Sequence, residues 1–220
     1  MSNRLAIFDC DGTLVDGQAN VCLAMAACFE EAGLPPPDPA QSRRIVGLSL
    51  VEAMEAMLPH AEAEVHVGLA ESYKRHFRQM RADRRVSEPL YDGVLELLDT
   101  LESDEWLLGI ATGKSDRGLA LCLDHHGLTG RFLTLQTADR HPSKPHPSMI
   151  EQAMADAGAA PDTTVMIGDT LYDMAMAKAA GAAAVGVAWG YHEVEELRTA
   201  GADYVAESPH DIAGFLKAFE

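Results

Sequence analysis

Short apolar runs alternate with amphipathic stretches along most of the chain. The first run, Leu5-Ala6-Ile7-Phe8, predicts a buried strand, and comparable runs occur at residues 107–111, 132–135, 164–167 and 183–187. Between these runs, apolar positions recur every three or four residues, which is typical of helices with one buried face. Because strands and helices alternate, we predict a parallel α/β sheet joined by right-handed crossovers.

One long segment departs from this alternation. Between residues 20 and 85 no run has the alternation typical of a strand, and the apolar spacing predicts helices at about residues 19–32, 40–46, 50–57 and 62–80. The chain is therefore expected to divide into a core, formed by residues 1–15 and 88–220, and an all-helical insert, residues 16–87. The insert leaves the core at the carboxyl end of the first strand, where it would cover a site formed there. A mobile lid and a fixed subdomain are both compatible with this pattern.

Composition narrows the possible partners. With 220 residues, 47% of them hydrophobic, and a formal net charge of −17, the chain is large enough for a core and too acidic for a surface that binds nucleic acid. No apolar stretch approaches the ~20 residues of a membrane helix, and no signal peptide is recognisable at the start. The cysteines show no metal-binding or disulfide spacing. We therefore expect a cytoplasmic protein without nucleic-acid or membrane partners, either a monomer or a homodimer.

Two carboxylates mark the end of the first predicted strand. Asp9 and Asp11 stand one residue apart, directly after Phe8 and before Gly12. Like charges at a strand end repel each other, and their burial is costly unless a cation or a proton compensates. Mg²⁺ prefers carboxylate oxygens, water and phosphate as ligands. The pair therefore predicts a nucleophile, an acid/base group and a metal at one strand end.

Three further polar elements follow later apolar runs. Thr112-Gly113 ends the second run, Lys144 follows the third, and Asp169 follows the fourth, with Asp173 one helical turn beyond. Because ligands of parallel α/β sheets bind at the carboxyl ends of the strands, we expect these side chains to meet the first carboxylate pair at one site. A hydroxyl, an ammonium group and carboxylates are the groups that Mg²⁺-dependent phosphoryl transfer requires.

Together these motifs resemble the four motifs of the haloacid dehalogenase-like hydrolase superfamily, in the order found there. The residues that carry the resemblance are Asp9-x-Asp11-Gly12-Thr13, Thr112, Lys144 and Gly168-Asp169-x-x-x-Asp173. The match spans almost the whole chain, whose organisation is most similar to the phosphoglycolate phosphatase-like branch with a helical cap. The resemblance implies a Rossmann-like core of three α/β/α layers and an inserted helical cap domain. It also implies Mg²⁺-dependent hydrolysis of a phosphate monoester through an aspartyl-phosphate intermediate.

The roles of the motif residues follow from their chemistry and from the resemblance. Asp9 is predicted to be the nucleophile, with Thr13 orienting it, and Asp11 the acid/base that protonates the leaving alkoxide and then activates water. The predicted phosphate ligands are Thr112, Gly113 and Lys144. The residues predicted to hold the metal are Asp9, Asp11, Asp169 and Asp173, with Asp169 as a direct ligand and Asp173 acting through a water molecule or behind the direct ligands. Asp173 is equally compatible with a helix N-terminal residue that the helix dipole favours. In the family, the backbone carbonyl at the position of Asp11 also binds the metal.

Substrate selection is expected to come from the insert and its connectors. Arg43 and Arg44 are candidates for binding an anionic group of the substrate, because arginine forms bidentate hydrogen bonds with carboxylates and phosphates. Asn20 and Lys114 are further candidates. The predicted partner is a small phosphorylated metabolite: phosphoglycolate fits the resemblance, and so do sugar phosphates and nucleotides.

Two other functions remain open at this point. One is a phosphosugar mutase of the same superfamily, which returns the phosphoryl group to the substrate. Mutase-like members carry a characteristic histidine near the start of the cap, whereas residues 16–20 here read Asp-Gly-Gln-Ala-Asn. The other is a non-catalytic module that binds phosphorylated ligands, and the complete set of motif residues argues against it.

Overall fold

The computed structural model describes residues 3–217, and its strands form a single parallel sheet. The strands are β1 (Asn3–Phe8), β2 (Leu107–Thr112), β3 (Thr134–Thr137), β4 (Ala159–Gly168), β5 (Ala183–Val187) and β6 (Tyr204–Ala206). They are ordered β3-β2-β1-β4-β5-β6, and every neighbouring pair is parallel. This is the strand order of the doubly wound Rossmann fold, so the predicted fold class is confirmed. The strand order reverses at β1, whose carboxyl end therefore lies at the crevice where such sheets bind ligands.

The described residues form ten helices. The first four lie between β1 and β2: α1 (Gln18–Glu31), α2 (Pro39–Arg44), α3 (Leu50–Met57) and α4 (Ala63–Ala82). The others are α5 (Val94–Ser103), α6 (Asp116–His125), α7 (Ser148–Ala157), α8 (Leu171–Ala179), α9 (Val194–Thr199) and α10 (Pro209–Lys217). The sequence pattern predicts that the last helix opens at Ser208-Pro209 and extends to Phe219, a residue that lies outside the described range. Within residues 3–217, no helix combines the length and the apolar character needed to cross a membrane.

Alternating side chains of β1 face two layers of helices. Ala6 and Phe8 are buried in an apolar cluster with residues of α5, α6 and α10. Leu5 and Ile7 are buried on the opposite face with residues of α7, α8 and α9. Successive side chains of a strand point to opposite faces, so a strand covered on both sides must be apolar throughout. This explains the uninterrupted first run and produces the three layers.

Helices α1 to α4 form the helical insert, which has an apolar core of its own. Met25 on α1, Met54 on α3 and Leu69 on α4 are buried together in this core. Asp38 begins α2 by accepting a hydrogen bond from the backbone N of Ala40 at 2.7 Å. The four helices fall within the expected all-helical segment, residues 16–87. That this segment is a separate substrate cap stays a prediction.

The two connectors between the core and the insert run side by side. The backbone N of Asp16 donates a hydrogen bond to the carbonyl oxygen of Pro89 at 2.8 Å. Asn20 bridges the same two segments, because its side chain donates to the carbonyl oxygen of Ser87 and accepts from the backbone N of Ser87. The insert is thus joined to the core through a paired ribbon that leaves the sheet beside the carboxyl end of β1.

Two strands begin at residues other than those that the apolar runs predict. β3 begins at Thr134, two residues into the predicted run, and β4 begins at Ala159, five residues ahead of its predicted run. β4 starts early because Asn3 of β1 pairs with Ala159. The carbonyl oxygen of Asn3 also accepts a hydrogen bond from the hydroxyl of Thr163. These partners are far apart in sequence, so a local apolar pattern does not reveal them.

Candidate active site

Asp9 lies at the carboxyl end of β1 with one side-chain oxygen that has no partner among residues 3–217. It directly follows Phe8 and is 1% exposed. Oδ1 accepts a hydrogen bond from the backbone N of Cys10 at 2.7 Å and lies 3.0 Å from Nζ of Lys144. Oδ2 is buried and makes no hydrogen bond with any residue that the structure describes. Because buried polar atoms are almost always hydrogen-bonded, this oxygen indicates a position where a ligand binds.

The ammonium group of Lys144 is buried between two carboxylates. Its Nζ lies 2.6 Å from Oδ1 of Asp173 and 3.0 Å from Oδ1 of Asp9. Burial by itself would lower the pKa of Lys144, but the two carboxylates hold that pKa above its ordinary value. Lys144 therefore stays charged. It is carried to the predicted site by the loop between β3 and α7.

Asp9, Asp169 and Asp173 form a cluster of three buried carboxylates. One oxygen from each of the three lies within 4.8 Å of the others. Asp169 directly follows β4, and its Oδ2 accepts a hydrogen bond from the backbone N of Tyr191 at 2.9 Å. The neighbouring strands β1 and β4 therefore bring two of the predicted metal ligands together, and α8 supplies the third.

The cluster carries more negative charge than the surrounding protein neutralises. Among the described residues, one ammonium group, that of Lys144, pairs with these three carboxylates, so two negative charges lack a cationic partner when all three are ionised. Burial raises the pKa of Asp9 to about 7 although Lys144 opposes the shift. Burial and the charge of Asp9 likewise raise the pKa of Asp169. A divalent cation that prefers oxygen ligands, such as Mg²⁺, fits both the donor atoms and the missing charge.

The turn after Asp9 is built around Asp169. Gly12 has a φ of +85°, and a Cβ at this position would lie 2.1 Å from Oδ2 of Asp169, so the close approach requires glycine. The hydroxyl of Thr13 donates a hydrogen bond to Oδ1 of Asp169 at 3.1 Å. The prediction that Thr13 orients Asp9 is therefore wrong. Thr13 positions Asp169 instead, because β4, which ends just before Asp169, is the neighbour of β1 in the sheet.

Asp11 contacts a second buried network. Its Oδ1 lies 2.9 Å from Nζ of Lys114, which also lies 2.7 Å from Oε1 of Glu88. Glu88 in turn lies 2.8 Å from Arg81 of α4. Burial raises the pKa of Asp11, the charge of Lys114 lowers it, and the charge of Glu88 raises it, with a net upward shift. A raised pKa suits a carboxyl group that gives a proton to a leaving alkoxide.

The side chain of Asp11 is not one of the three clustered carboxylates. That cluster consists of Asp9, Asp169 and Asp173 within the part of the chain that the structure describes. The predicted contribution of Asp11 to metal binding therefore depends on its backbone carbonyl, as the family resemblance implies, while its carboxyl group is available for proton transfer.

Thr112 and Gly113 form part of the wall of a cavity between the core and the insert. Thr112 ends β2 and is buried. Gly113 lies against the insert, since a Cβ at this position would be 2.8 Å from the carbonyl oxygen of Leu48. The cavity encloses about 700 Å³ and is also lined by Asp9 and Asp11. The predicted nucleophile, the predicted acid/base and two of the predicted phosphate ligands thus face one space beneath the insert.

The predicted substrate residues lie at separate places. Lys114 lines the cavity. Arg43 lines a smaller, separate cleft, and Arg44 forms an ion pair with Glu196 on the surface of the core. Asn20 bridges the two connectors. Of the four candidates, Lys114 is the one that the structure places beside the predicted catalytic residues.

Three residues of the site are absent from the sequence-based predictions. Glu88 stands at the predicted boundary between insert and core, where no motif marks it, and Tyr191 contributes a backbone N–H, which no residue type reveals. Thr170 begins α8, where its hydroxyl and backbone N donate hydrogen bonds to Oδ2 of Asp173 at 2.7 and 3.0 Å. The spacing Thr-x-x-Asp at the start of a helix is a capping-box signal that could have revealed this last contact.

The sequence matches one family profile and several curated phosphatases. The sequence profile of haloacid dehalogenase-like hydrolases matches residues 6–187. The chain is 34% identical to the probable phosphatase IndB of Dickeya dadantii, over 97% of this chain and 94% of that protein. It is 31% identical to a phosphoglycolate phosphatase of Xylella fastidiosa, over 94% of this chain and 90% of that protein.

Solved structures share the fold over its full length. A hydrolase from Pseudomonas syringae is 25% identical, with a TM-score of 0.85 over 99% of both chains. A predicted phosphatase from Clostridium acetobutylicum has a TM-score of 0.88 at 24% identity, over 99% of this chain and all of that one. The family predicted from the motifs is confirmed by the profile match and by the relatives above 30% identity. The chain therefore belongs to the haloacid dehalogenase-like hydrolases, as a phosphoric monoester hydrolase of their phosphoglycolate phosphatase-like branch.

Proposed function

We propose that this protein is a Mg²⁺-dependent phosphatase that hydrolyses a small phosphate monoester through a phosphorylated Asp9. The observation that carries the proposal is the buried Oδ2 of Asp9, which has no hydrogen-bond partner and belongs to a carboxylate held by Lys144. An oxygen without a hydrogen bond keeps its lone pairs for attack on phosphorus. The cavity above it supplies the space for an ester.

The proposed reaction has two displacements at phosphorus. In the first, Oδ2 of Asp9 forms a bond to phosphorus while the bond to the ester oxygen breaks, and Asp11 gives its proton to the leaving alkoxide. In the second, Asp11 accepts a proton from a water molecule whose oxygen attacks phosphorus. The bond between phosphorus and Asp9 then breaks, which releases inorganic phosphate and restores the carboxylate.

Groups around Asp9 would hold the phosphoryl group during both displacements. Lys144 remains charged beside Asp9, and Thr112 and Gly113 line the same cavity. Preorganised positive charge and hydrogen-bond donors stabilise the charge that develops on phosphoryl oxygens. Mg²⁺, when bound, would supply further positive charge against the phosphoryl oxygens. The residues proposed to hold it are Asp9, Asp11, Asp169 and Asp173.

The proposed substrate is a small phosphorylated metabolite. Relatives named phosphoglycolate phosphatases make phosphoglycolate the first compound to test. The net charge of −17 and the free cysteines support a cytoplasmic protein that does not bind nucleic acid, and both points stay predictions.

Phosphate release from a panel of monoesters tests the proposal. We expect release that stops with EDTA and returns with Mg²⁺, and no release by Asp9→Asn. The matched control Asp162→Asn changes an exposed carboxylate remote from β1's carboxyl end and should retain full activity. Transfer of the phosphoryl group to a second hydroxyl of the substrate would indicate a mutase. Ligand binding without release would indicate a non-catalytic module, and either result overturns the proposal.

A further inference from the structure

We infer that the leaving group of the substrate is apolar or aromatic, and that the alcohol released from it carries no carboxylate. The inference rests on the proposed phosphatase function and concerns the part of the substrate that the insert contacts. Three features of the cavity above Asp9 support it: the apolar wall, the volume, and the pairing of the nearby cations.

The wall that the insert contributes to the cavity is mainly apolar. Its apolar side chains come from α1, from the loop after α2, from α3 and from α4, and include Val21, Met25, Val46, Leu48, Tyr73 and Phe77. Three cations of α4, Lys74, Arg78 and Arg81, also line it. The rings of Tyr73 and Phe77 stack with centroids 5.9 Å apart. Asp9 and Thr112 line the same cavity. A substrate whose phosphoryl group lies at Asp9 therefore extends its leaving group against apolar side chains.

The cavity is larger than the leaving group of phosphoglycolate requires. Its volume of about 700 Å³ lies within the range of about 300–1,000 Å³ that is usual for pockets that bind drug-sized ligands. Glycolate is a short hydroxyacid that would fill a small part of this space. The apolar side chains of the wall would then stay in contact with water. An aromatic alcohol would cover that wall, and removal of apolar surface from water is favourable.

The two least exposed cations that line the cavity, Lys114 and Arg81, are already paired. Lys114 contacts Asp11 at 2.9 Å and Glu88 at 2.7 Å, and its side chain is 10% exposed. Arg81 contacts the second oxygen of Glu88 at 2.8 Å. A carboxylate on the substrate would have to displace one of these protein carboxylates from its partner, and one of them belongs to the predicted acid/base.

The remaining cations lie where solvent screens them. Lys74 pairs with Glu71 and its side chain is 40% exposed, while Arg78 and Arg117 are exposed. The arginines predicted to bind an anionic group, Arg43 and Arg44, are not among the residues that line the cavity. A carboxylate on the leaving group would therefore lose its water against the apolar wall without gaining a free buried cation among the described residues. Such transfer is strongly unfavourable.

The decisive comparison is between benzyl phosphate and 4-carboxybenzyl phosphate, with 2-phosphoglycolate alongside, at saturating Mg²⁺. The two benzyl esters differ by one carboxylate remote from the reacting bond. The ratio of their kcat/KM values therefore measures how strongly the cavity disfavours that carboxylate. We expect benzyl phosphate to exceed both carboxylated esters by about tenfold or more. Equal or higher kcat/KM for the carboxylated esters overturns the inference and leaves the phosphatase proposal intact. Release from none of the esters overturns both.

A substitution in the wall tests its assignment. Leu48→Lys places an ammonium group at a half-buried position of the wall and should lower the ratio of benzyl to 4-carboxybenzyl kcat/KM by about tenfold or more. The matched control Leu23→Lys changes a 52% exposed leucine of the insert that does not line the cavity, and should keep the wild-type ratio. If Leu48→Lys does not fold, Phe77→Ala replaces it, with a larger loss expected for benzyl phosphate than for phosphoglycolate. An unchanged ratio in the folded variant overturns the assignment.

Discussion

Lys144 and Asp173 form an ion pair that is completely buried, with Nζ 2.6 Å from Oδ1. The same ammonium group lies 3.0 Å from Asp9, so one cation links the predicted nucleophile to the first turn of α8. A buried ion pair adds little net stability, because the loss of hydration offsets the attraction, but removal of one partner leaves the other uncompensated. The pair therefore holds the geometry of the site.

Replacement of the buried lysine should damage both activity and stability. In Lys144→Met, the three clustered carboxylates lose their cation, and we expect phosphate release to fall at least ~100-fold and the free energy of unfolding to fall by about 3–5 kcal/mol. The control Lys178→Met breaks an ion pair with Asp203 in which both side chains are at least 40% exposed. Its effect should be about 0–1 kcal/mol. Denaturant unfolding of both variants checks this, and equal losses would contradict the account.

Mg²⁺ affinity should fall as the pH drops below about 7. The pKa of Asp9 is raised by burial to about 7, so this carboxyl group of the metal-free site takes up a proton in this range, and the pKa of Asp169 is raised as well. Mg²⁺ must displace bound protons, which weakens binding by up to about tenfold per pH unit for each proton displaced. Calorimetric titrations at pH 6, 7 and 8 measure the trend. The slope should be shallower in Asp9→Asn, and an affinity that is constant from pH 6 to 8 in the wild type would refute this view.

Gly12→Ala should weaken Mg²⁺ binding, whereas Gly33→Ala, which introduces a similar backbone strain, should not. The new Cβ at Gly12 would lie 2.1 Å from Asp169, whereas a Cβ added at Gly33, with φ +72°, would have no atom within 4 Å from the described residues beyond its chain neighbours. Both substitutions force alanine into a positive φ at a cost of about 1–3 kcal/mol. Displacement of Asp169 should cost Gly12→Ala a further loss of about tenfold or more in Mg²⁺ affinity. Thermal unfolding and Mg²⁺ titration of the two variants compare them, and normal affinity in Gly12→Ala would count against the assigned role of Asp169.

Glu88→Gln should shift the pH dependence of catalysis. The charge of Glu88 helps to raise the pKa of Asp11, both directly and by sharing Lys114. Without that charge, the pKa of Asp11 should fall, and the alkaline limb of the kcat profile should move to lower pH by up to about one unit. Glu102→Gln, which removes an exposed partner of Arg131, serves as the control and should leave the profile in place. A shift to higher pH in Glu88→Gln would contradict the role of Asp11 as an acid.

The positions of the main site residues could be predicted from the sequence, because each position is marked by the end of a local apolar run. Asp9, Thr112 and Asp169 each end or directly follow an apolar run, and parallel strands bring their carboxyl ends to one edge of the sheet. The prediction needed no knowledge of long-range contacts, since the topology of the sheet supplies them.

Pairing between side chains could not be predicted in the same way. Thr13 was expected to face Asp9 but donates to Asp169, a residue far along the chain whose approach depends on the packing of β1 against β4. Arg44 has the chemistry of an anion-binding residue, and its orientation toward Glu196 is decided by how the insert lies on the core. Such contacts follow from tertiary packing, which residue type and spacing do not specify.

The most direct test of the account is to trap the phosphoryl group on the protein. A ³²P-labelled ester, mixed with the enzyme and Mg²⁺ and quenched in acid during turnover, should leave label on the wild-type chain, and peptide mapping should assign it to Asp9. Asp9→Asn should carry none. Label on another residue, or phosphate release at the wild-type rate by Asp9→Asn, would contradict nucleophilic attack by Asp9.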